Sequence, residues 1–378
     1  MIAKVELRDK SFNQLETLDS EIMNLTWEYN RIGGCGSFGF DIPRKFCDEK
    51  FISGDFNVRI FVRNDTTMDY DLWYQGIVET KAPNVRADEL ISIQGHGYQA
   101  QLSRIQLRGV VFTTTEISVI VKNLLDNYVV GITDVIYSAS DIEATTFTPD
   151  SIEFNCSVQE ALQTLADITG TREWGVDENR SVFFKARSSS SGFYFALGKD
   201  ITSFTSDDSF KDIVNRVIIQ GGDVAGSPFA PDPTTAPYNN ASSQAKYGRR
   251  DLIKQSSAII TAAVAEQFAT AILNEKSDVV RRARAELTGY DVQIEATVPI
   301  PLLEIVAKAA TYGEAGRYYG TFLYAGRIQY QVNRIVYKVA STDSVLTTSL
   351  ELGQPRPSLP ETVAQLSYQL EQLRSASL

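Results

Sequence analysis

The sequence has a single histidine, His96, and three cysteines, Cys35, Cys47 and Cys156. One imidazole leaves little room for a nucleophilic triad, and three scattered thiols lack the paired spacing of a zinc site. Three thiols also fall short of a disulfide framework; one pair is conceivable, but an odd count in a reducing cytosol favours small, buried apolar side chains. No run approaches the about eighteen uninterrupted apolar residues of a membrane-spanning helix, so no membrane insertion by this chain is expected. The opening residues, MIAKVELRDK, are charged and lack the apolar core of a signal peptide, so synthesis and folding in a cytoplasm are expected. Basic residues are in the minority, with 36 Lys and Arg against 47 Asp and Glu and a net charge of −11. Such a surface repels phosphate backbones and argues against specific nucleic-acid binding.

What the chain does have is aromatic residues in short alternating runs. Hydrophobic residues make up 43% of the 378, and 19 Phe with 17 Tyr dominate the aromatic set. That composition belongs to a folded chain of two or three domains, and the alternation favours β structure. In 57–63, Val58, Ile60 and Val62 fall on one face and Arg59, Phe61 and Arg63 on the other. Further strands are expected at 3–7, 24–29, 36–42, 72–79 and 89–94, separated by turn residues such as Gly33-Gly34 and Asn64-Asp65. Six strands at this spacing suggest a small barrel or sandwich.

Past residue 105 the period changes. Residues 115–128 carry Ile117, Ile120, Val121, Leu124 and Leu125 on one helical face, with a Thr cap before Glu116. Ser157 followed by Glu160 is a capping box for a helix over 157–169, which Gly170 ends. A hairpin of 173–176 with 181–186 turns at Asp177-Glu178-Asn179. The Ser-rich run 188–192 closes this α+β segment. Strands resume at 193–197 and 214–220. Residues 221–250 are rich in Gly, Pro, Ser and Asn and read as a long loop. A helix follows over 257–274, with Ile260, Val264, Phe268 and Ile272 on its face. Residues 282–287 alternate with period two and read as a strand, joined by strands at 318–324, 328–339 and 344–352. Beyond the linker 354–360, Val363, Leu366, Leu370 and Leu373 form a short seam on a helix over 361–374, the candidate partner-contact residues of the chain.

No constellation for catalysis emerges. Gly33-Gly34-Cys35-Gly36 and Gly221-Gly222-Asp223 lack the Lys-Ser or Lys-Thr and the following helix of a phosphate cradle. Asp207-Asp208 and the pair Asp65 and Asp69 read as solvated surface acids. His96 reads as a packed or turn histidine. Arg249-Arg250 and Arg281-Arg282 with Arg284 read as local surface charge or subunit contacts. No catalytic residue, cofactor site or metal site is assigned.

One series is specific in its arrangement. It runs Leu25-Thr26-Trp27-Glu28-Tyr29-Asn30, Gly36-Ser37-Phe38, Phe40-Asp41-Ile42-Pro43, Gly54-Asp55 with Val58-Arg59-Ile60, Leu72-Trp73-Tyr74-Gln75-Gly76-Ile77-Val78, and Ile91-Ser92-Ile93-Gln94-Gly95-His96-Gly97-Tyr98. It resembles the first domain of phage tail hub proteins, the family of the T-even baseplate hub and of the type VI spike hub domain. Tyr330-Gln331-Val332-Asn333-Arg334-Ile335 and Leu350-Glu351-Leu352-Gly353 are similar to that family's last strands. The resemblance implies a β-rich α+β chain with two small β-barrel domains, an inserted α+β domain and a short C-terminal helix. The domains expected are 1–105 plus 190–222 as first barrel, 106–189 as insert, 223–353 as second barrel, and 354–378 as linker and helix. It also implies a virion protein of the tail tip, non-catalytic and without cofactors. In that role it is a homotrimer lining the DNA exit channel, partnered by a distal tail or tail tube protein and a central spike or fibre protein. A tail-associated cell-wall hydrolase and a carbohydrate-binding receptor module are the alternatives.

Overall fold

The computed structural model describes residues 3–43, 56–63, 67–83, 90–170, 172–186, 191–196, 201–224, 226–256, 259–288, 302–306, 327–341 and 345–353. The fold is α+β and β-rich. Side-chain alternation decides which face of each strand is buried. In Met23–Asn30, Leu25, Trp27 and Tyr29 are buried while Thr26, Glu28 and Asn30 are partly exposed. In Asn57–Arg63, Val58, Ile60 and Val62 are buried and Arg59, Phe61 and Arg63 are not, as period two requires.

Most strands join one sheet. Its main path runs Ile201–Ser209, Val280–Thr288, Thr347–Gly353, Arg327–Ser341, Met23–Asn30, Gly33–Pro43, Leu90–Gly97, Tyr70–Pro83, Asn57–Arg63, Ala3–Arg8 and Gln14–Leu18. The early and late strand blocks are therefore continuous. Their seam is the antiparallel pair of Met23–Asn30 with Arg327–Ser341, in which Tyr29 faces Ile335, Trp27 faces Tyr337 and Leu25 faces Val339. On the inner face the Trp27 and Tyr337 rings stack at 5.2 Å, and Trp73 meets Tyr337 edge-on at 5.2 Å. Such aromatic pairs add about 1 kcal/mol each beyond the area they bury. On the outer face Arg334 Nε donates to Glu28 Oε2 at 2.8 Å. The first core accordingly draws Val5, Ile60 and Ile93 from early strands and Ala285, Ile335 and Leu350 from late ones.

A second core gathers the helices Ile117–Tyr128, Val158–Thr169 and Ala262–Lys276 with the hairpin Arg172–Val176 and Ser181–Ala186. Ser157 and Glu160 form the expected capping box, and Gly170, at φ 64°, ends that helix left-handed. The first helix differs from the sequence reading, because its cap is Glu116. The Glu116 carboxylate accepts from the amides of Ser118 and Val119 at 3.1 and 3.3 Å, whereas the Thr115 hydroxyl donates to the Thr113 carbonyl at 2.9 Å. The third helix starts at Ala262, capped by Thr261, later than expected.

Residues 221–250 are also more ordered than a loop. Arg216–Gln220 runs parallel to Asp251–Gln255, and parallel strands need a crossover rather than a tight turn. The intervening chain supplies it, with the helix Ala241–Tyr247 capped by Asn240 and with Tyr238 buried. Val217, Ile219, Val264 and Phe268 share a cluster with Leu162 and Trp174, so residues 214–273 pack with 98–184 rather than with the strands on either side. Val363, Leu366, Leu370, Leu373 and the strand expected over 318–324 lie outside the described residues.

Candidate assembly interface

His96 is half exposed near the end of Leu90–Gly97, its Nε2 3.7 Å from Glu79 Oε2, and Glu79 also accepts from Arg104 at 2.6 Å. Ser37 stands opposite His96 in the ladder, but its hydroxyl bonds with Glu28 while His96 turns to Glu79. No nucleophile–base hydrogen bond results. Burial pushes the Cys35 thiol far up and the Cys156 thiol up to about 11, which disfavours the nucleophilic thiolate at neutral pH. Cys47 and Asp65 lie outside the described residues. Among the described residues no group of three His, Cys, Asp or Glu is placed to hold a metal.

The glycine runs are filled by backbone rather than open to phosphate. A Cβ on Gly34, at φ 76°, would stand 2.2 Å from the Val176 carbonyl oxygen, and one on Gly221 would stand 2.0 Å from that of Ile259. Three members of the basic clusters, Arg249, Arg282 and Arg284, are ion-paired. Arg216 and Arg249 both pair with Asp251 at 2.7 Å, Arg282 pairs with Asp212 at 2.6 Å, and Arg284 with Glu351 at 3.2 Å. Asp207 and Asp208 stand in register with Arg282 and Arg281 on the neighbouring strand.

What the structure does build is a joint between the two cores. Gly175 and Val176 pair in parallel with Gly33 and Gly34, an approach so close that a Cβ on Gly175 would lie 2.5 Å from the Gly34 amide nitrogen. Around this contact the buried Tyr29 hydroxyl donates to Glu178 Oε2 at 2.5 Å, and Arg31 lies 3.4 Å from Glu173 Oε1, the two being 6% and 1% exposed. Tyr98 donates to Asn57 Oδ1 at 2.6 Å, and Asn57 donates to the Asp9 carbonyl at 2.8 Å. Burial pushes the Asp177 carboxyl up to about 6, against the lowering effect of the Ser181 and Asn179 amides that it accepts. Polar groups shut away from water are costly unless paired, and the Tyr29–Glu178 and Tyr98–Asn57 hydrogen bonds meet that need at the joint.

The sequence offered no local signal for Tyr29, Arg31, Asn57, Glu173 and Glu178 acting together, because their partners are 41 to 149 residues apart. Two clefts flank the joint, of about 560 Å³ and 430 Å³. The walls of the larger are already paired, Arg104 with Glu79 and Gln101 with Asp134. Exposed apolar residues lie elsewhere, with Val130, Ile132 and Ile136 just beyond the Ile117–Tyr128 helix. The strands Gln14–Leu18 and Ile201–Ser209 end the main path of the sheet.

No family model and no curated protein sequence matches the chain. Solved structures do. A tail protein from Neisseria meningitidis MC58 superposes with a TM-score of 0.59 at 12% identity, covering 94% of this chain and 97% of the other. The 43 kDa tail protein of prophage MuSo2 from Shewanella oneidensis gives 0.56 at 14% identity over 92% and 98% of the two chains. Prophage tail protein gp18 from Listeria monocytogenes EGD-e gives 0.54 at 13% identity over 98% and 100%. This chain has the fold that those proteins share.

Proposed function

We propose that the chain is a structural, non-catalytic component of a bacteriophage tail, and specifically the hub of the tail tip. In this reading its strand-rich blocks act as two small barrels. Three copies close a ring of six barrels, joining a sixfold tail tube to a threefold spike or fibre and lining the DNA exit channel. The observation that carries the reading is the fold shared almost end to end with three tail proteins at 12–14% identity. Retention of a whole architecture after sequence has diverged that far points to a shape-dependent role, although fold alone does not assign function.

Two features of the chain support it. The continuous sheet and the hydrogen-bonded joint suit a part that bears load between other proteins. The net charge of −11 suits a wall that DNA must pass without sticking, because cationic contacts would add affinity by counterion release. The partners are then further copies of the chain, a distal tail or tail tube protein, and a central spike or fibre protein. The helical seam Val363, Leu366, Leu370 and Leu373 is assigned to one of these contacts. The test is antibody labelling of purified particles with the protein in place. Label confined to the distal end of the tail is expected. Label on the capsid, or clearing of cell-wall suspensions by the purified protein, would contradict the reading and favour a hydrolase.

A further inference from the structure

On the outer face of the early strands near the joint, Arg8, Arg59 and Arg180 gather with few ion-pair partners among the described residues. Glu6 stands directly opposite Arg59, and Arg8 opposite Asn57, in the pairing of Ala3–Arg8 with Asn57–Arg63. Arg180 reaches the same place from the second core, its guanidinium 4.0 Å from the Phe12 ring centroid and 5.9 Å from that of Tyr98. Both Phe12 and Arg180 hold left-handed backbone, at φ 63° and 67°, so two turns are strained to bring these side chains together.

The carboxylates in reach are few. Glu6 is shared by Arg8 at 3.0 Å and Lys4 at 3.6 Å. Arg8 also donates to the Phe12 carbonyl, and Arg180 to the Asp134 carbonyl, neither of which removes charge. The Asp134 carboxylate accepts from Gln101, and that of Asp9 from Ser11 and Asn13. Among the described residues Arg59 has no ion pair; its guanidinium lies 5.2 Å from the Phe61 ring. The Nε atoms of Arg8 and Arg59 are shut from solvent with no acceptor. Burial, then repulsion from Arg8 and Arg180, lowers the proton affinity of Arg59, with Glu6 opposing. Among the described residues these three partly buried guanidiniums share one ion-paired carboxylate, and two of them carry orphaned Nε–H groups. The Asp9 and Asp134 carboxylates, though charged, turn to neutral donors; such a cluster is costly unless a further anion completes it.

We propose that Arg8, Arg59 and Arg180 form a receptor for a carboxylate carried by an acidic side chain of a neighbouring protein chain. A planar guanidinium fork matches the two oxygens of a carboxylate, and the flanking Phe12, Phe61 and Tyr98 rings lower the local dielectric and strengthen the pairing. A second copy of this chain, with 47 carboxylates against 36 cations, is one such neighbour. The inference needs only that the chain contacts another protein, and its test uses the isolated chain, so it fails or stands independently of the tail-tip reading.

The probe is a fluorescent hexaglutamate peptide at low salt, with duplex DNA of equal charge in a parallel arm. The intact chain is expected to bind the peptide in preference to DNA. Arg59→Met and Arg180→Met should each weaken peptide binding about tenfold or more. Arg59→Met should leave the melting temperature unchanged or higher, because it removes an unpaired charge from a partly buried site. Arg59→Lys, which keeps charge but loses the fork, should fall between. No peptide binding, equal binding by the Met variants, or preference for DNA would overturn the proposal. So would an Arg59→Met protein that keeps its binding and loses stability, since Arg59 would then be a structural residue.

Discussion

Asp177 is the residue at which the joint is most exposed to acidity. Its folded-state pKa, near 6, lies above the ordinary 3.8, so the folded protein holds that proton more tightly than the unfolded one. The resulting penalty is fully present above about pH 6 and disappears as pH falls through about 4. It amounts to roughly 2–3 kcal/mol at neutral pH. Asp177→Asn keeps an acceptor for the Asn179 and Ser181 amides while removing the charge. The variant should be more stable than the parent at pH 7 and equal to it near pH 4, measured by urea unfolding. A difference between the two proteins that does not change with pH would contradict this account. Phe12 and Arg180 teach a related lesson about legibility. Their left-handed backbone could not be read from residue type, because bulky side chains disfavour that region and only tertiary contacts hold them there.

Elements with a local signature were the legible ones. Val58, Ile60 and Val62 alternate because the strand has one wet face, and the hairpin after Val176 turns where Asp177 caps the amides of Asn179 and Ser181. Ser157 with Glu160 was readable for the same reason, since both hydrogen bonds of a capping box join neighbours. Ser157→Ala should cost about 1 kcal/mol, and a thermal melt showing no loss would mean the cap adds nothing in this context. Thr115 misled because a hydroxyl can satisfy itself on its own turn, as it does on the Thr113 carbonyl, leaving the cap to a glutamate that periodicity does not mark. Residues 221–250 misled because a crossover between parallel strands can be built from polar, Gly-rich chain around one buried Tyr238 and a seven-residue helix. The seam of Trp27 with Tyr337 was illegible as a pairing, since 310 residues separate strands that carry no mark of their partners.

For the whole molecule the central expectation is association. The stripe of Val363, Leu366, Leu370 and Leu373 offers too few apolar anchors to hold a lone helix in water, so in the proposed role it is completed by other chains. Deleting residues 358–378 should leave the melting temperature of the isolated chain nearly unchanged and reduce assembly. A large drop in melting temperature would instead mean that this segment folds back on its own chain. Most direct is the mass and symmetry of the protein, taken by light scattering and negative-stain imaging alone and within purified tails. The account predicts three chains of 41.9 kDa in a threefold ring with six peripheral lobes, at micromolar concentration or on meeting its partners. A chain that remains a monomer even inside purified particles would contradict it.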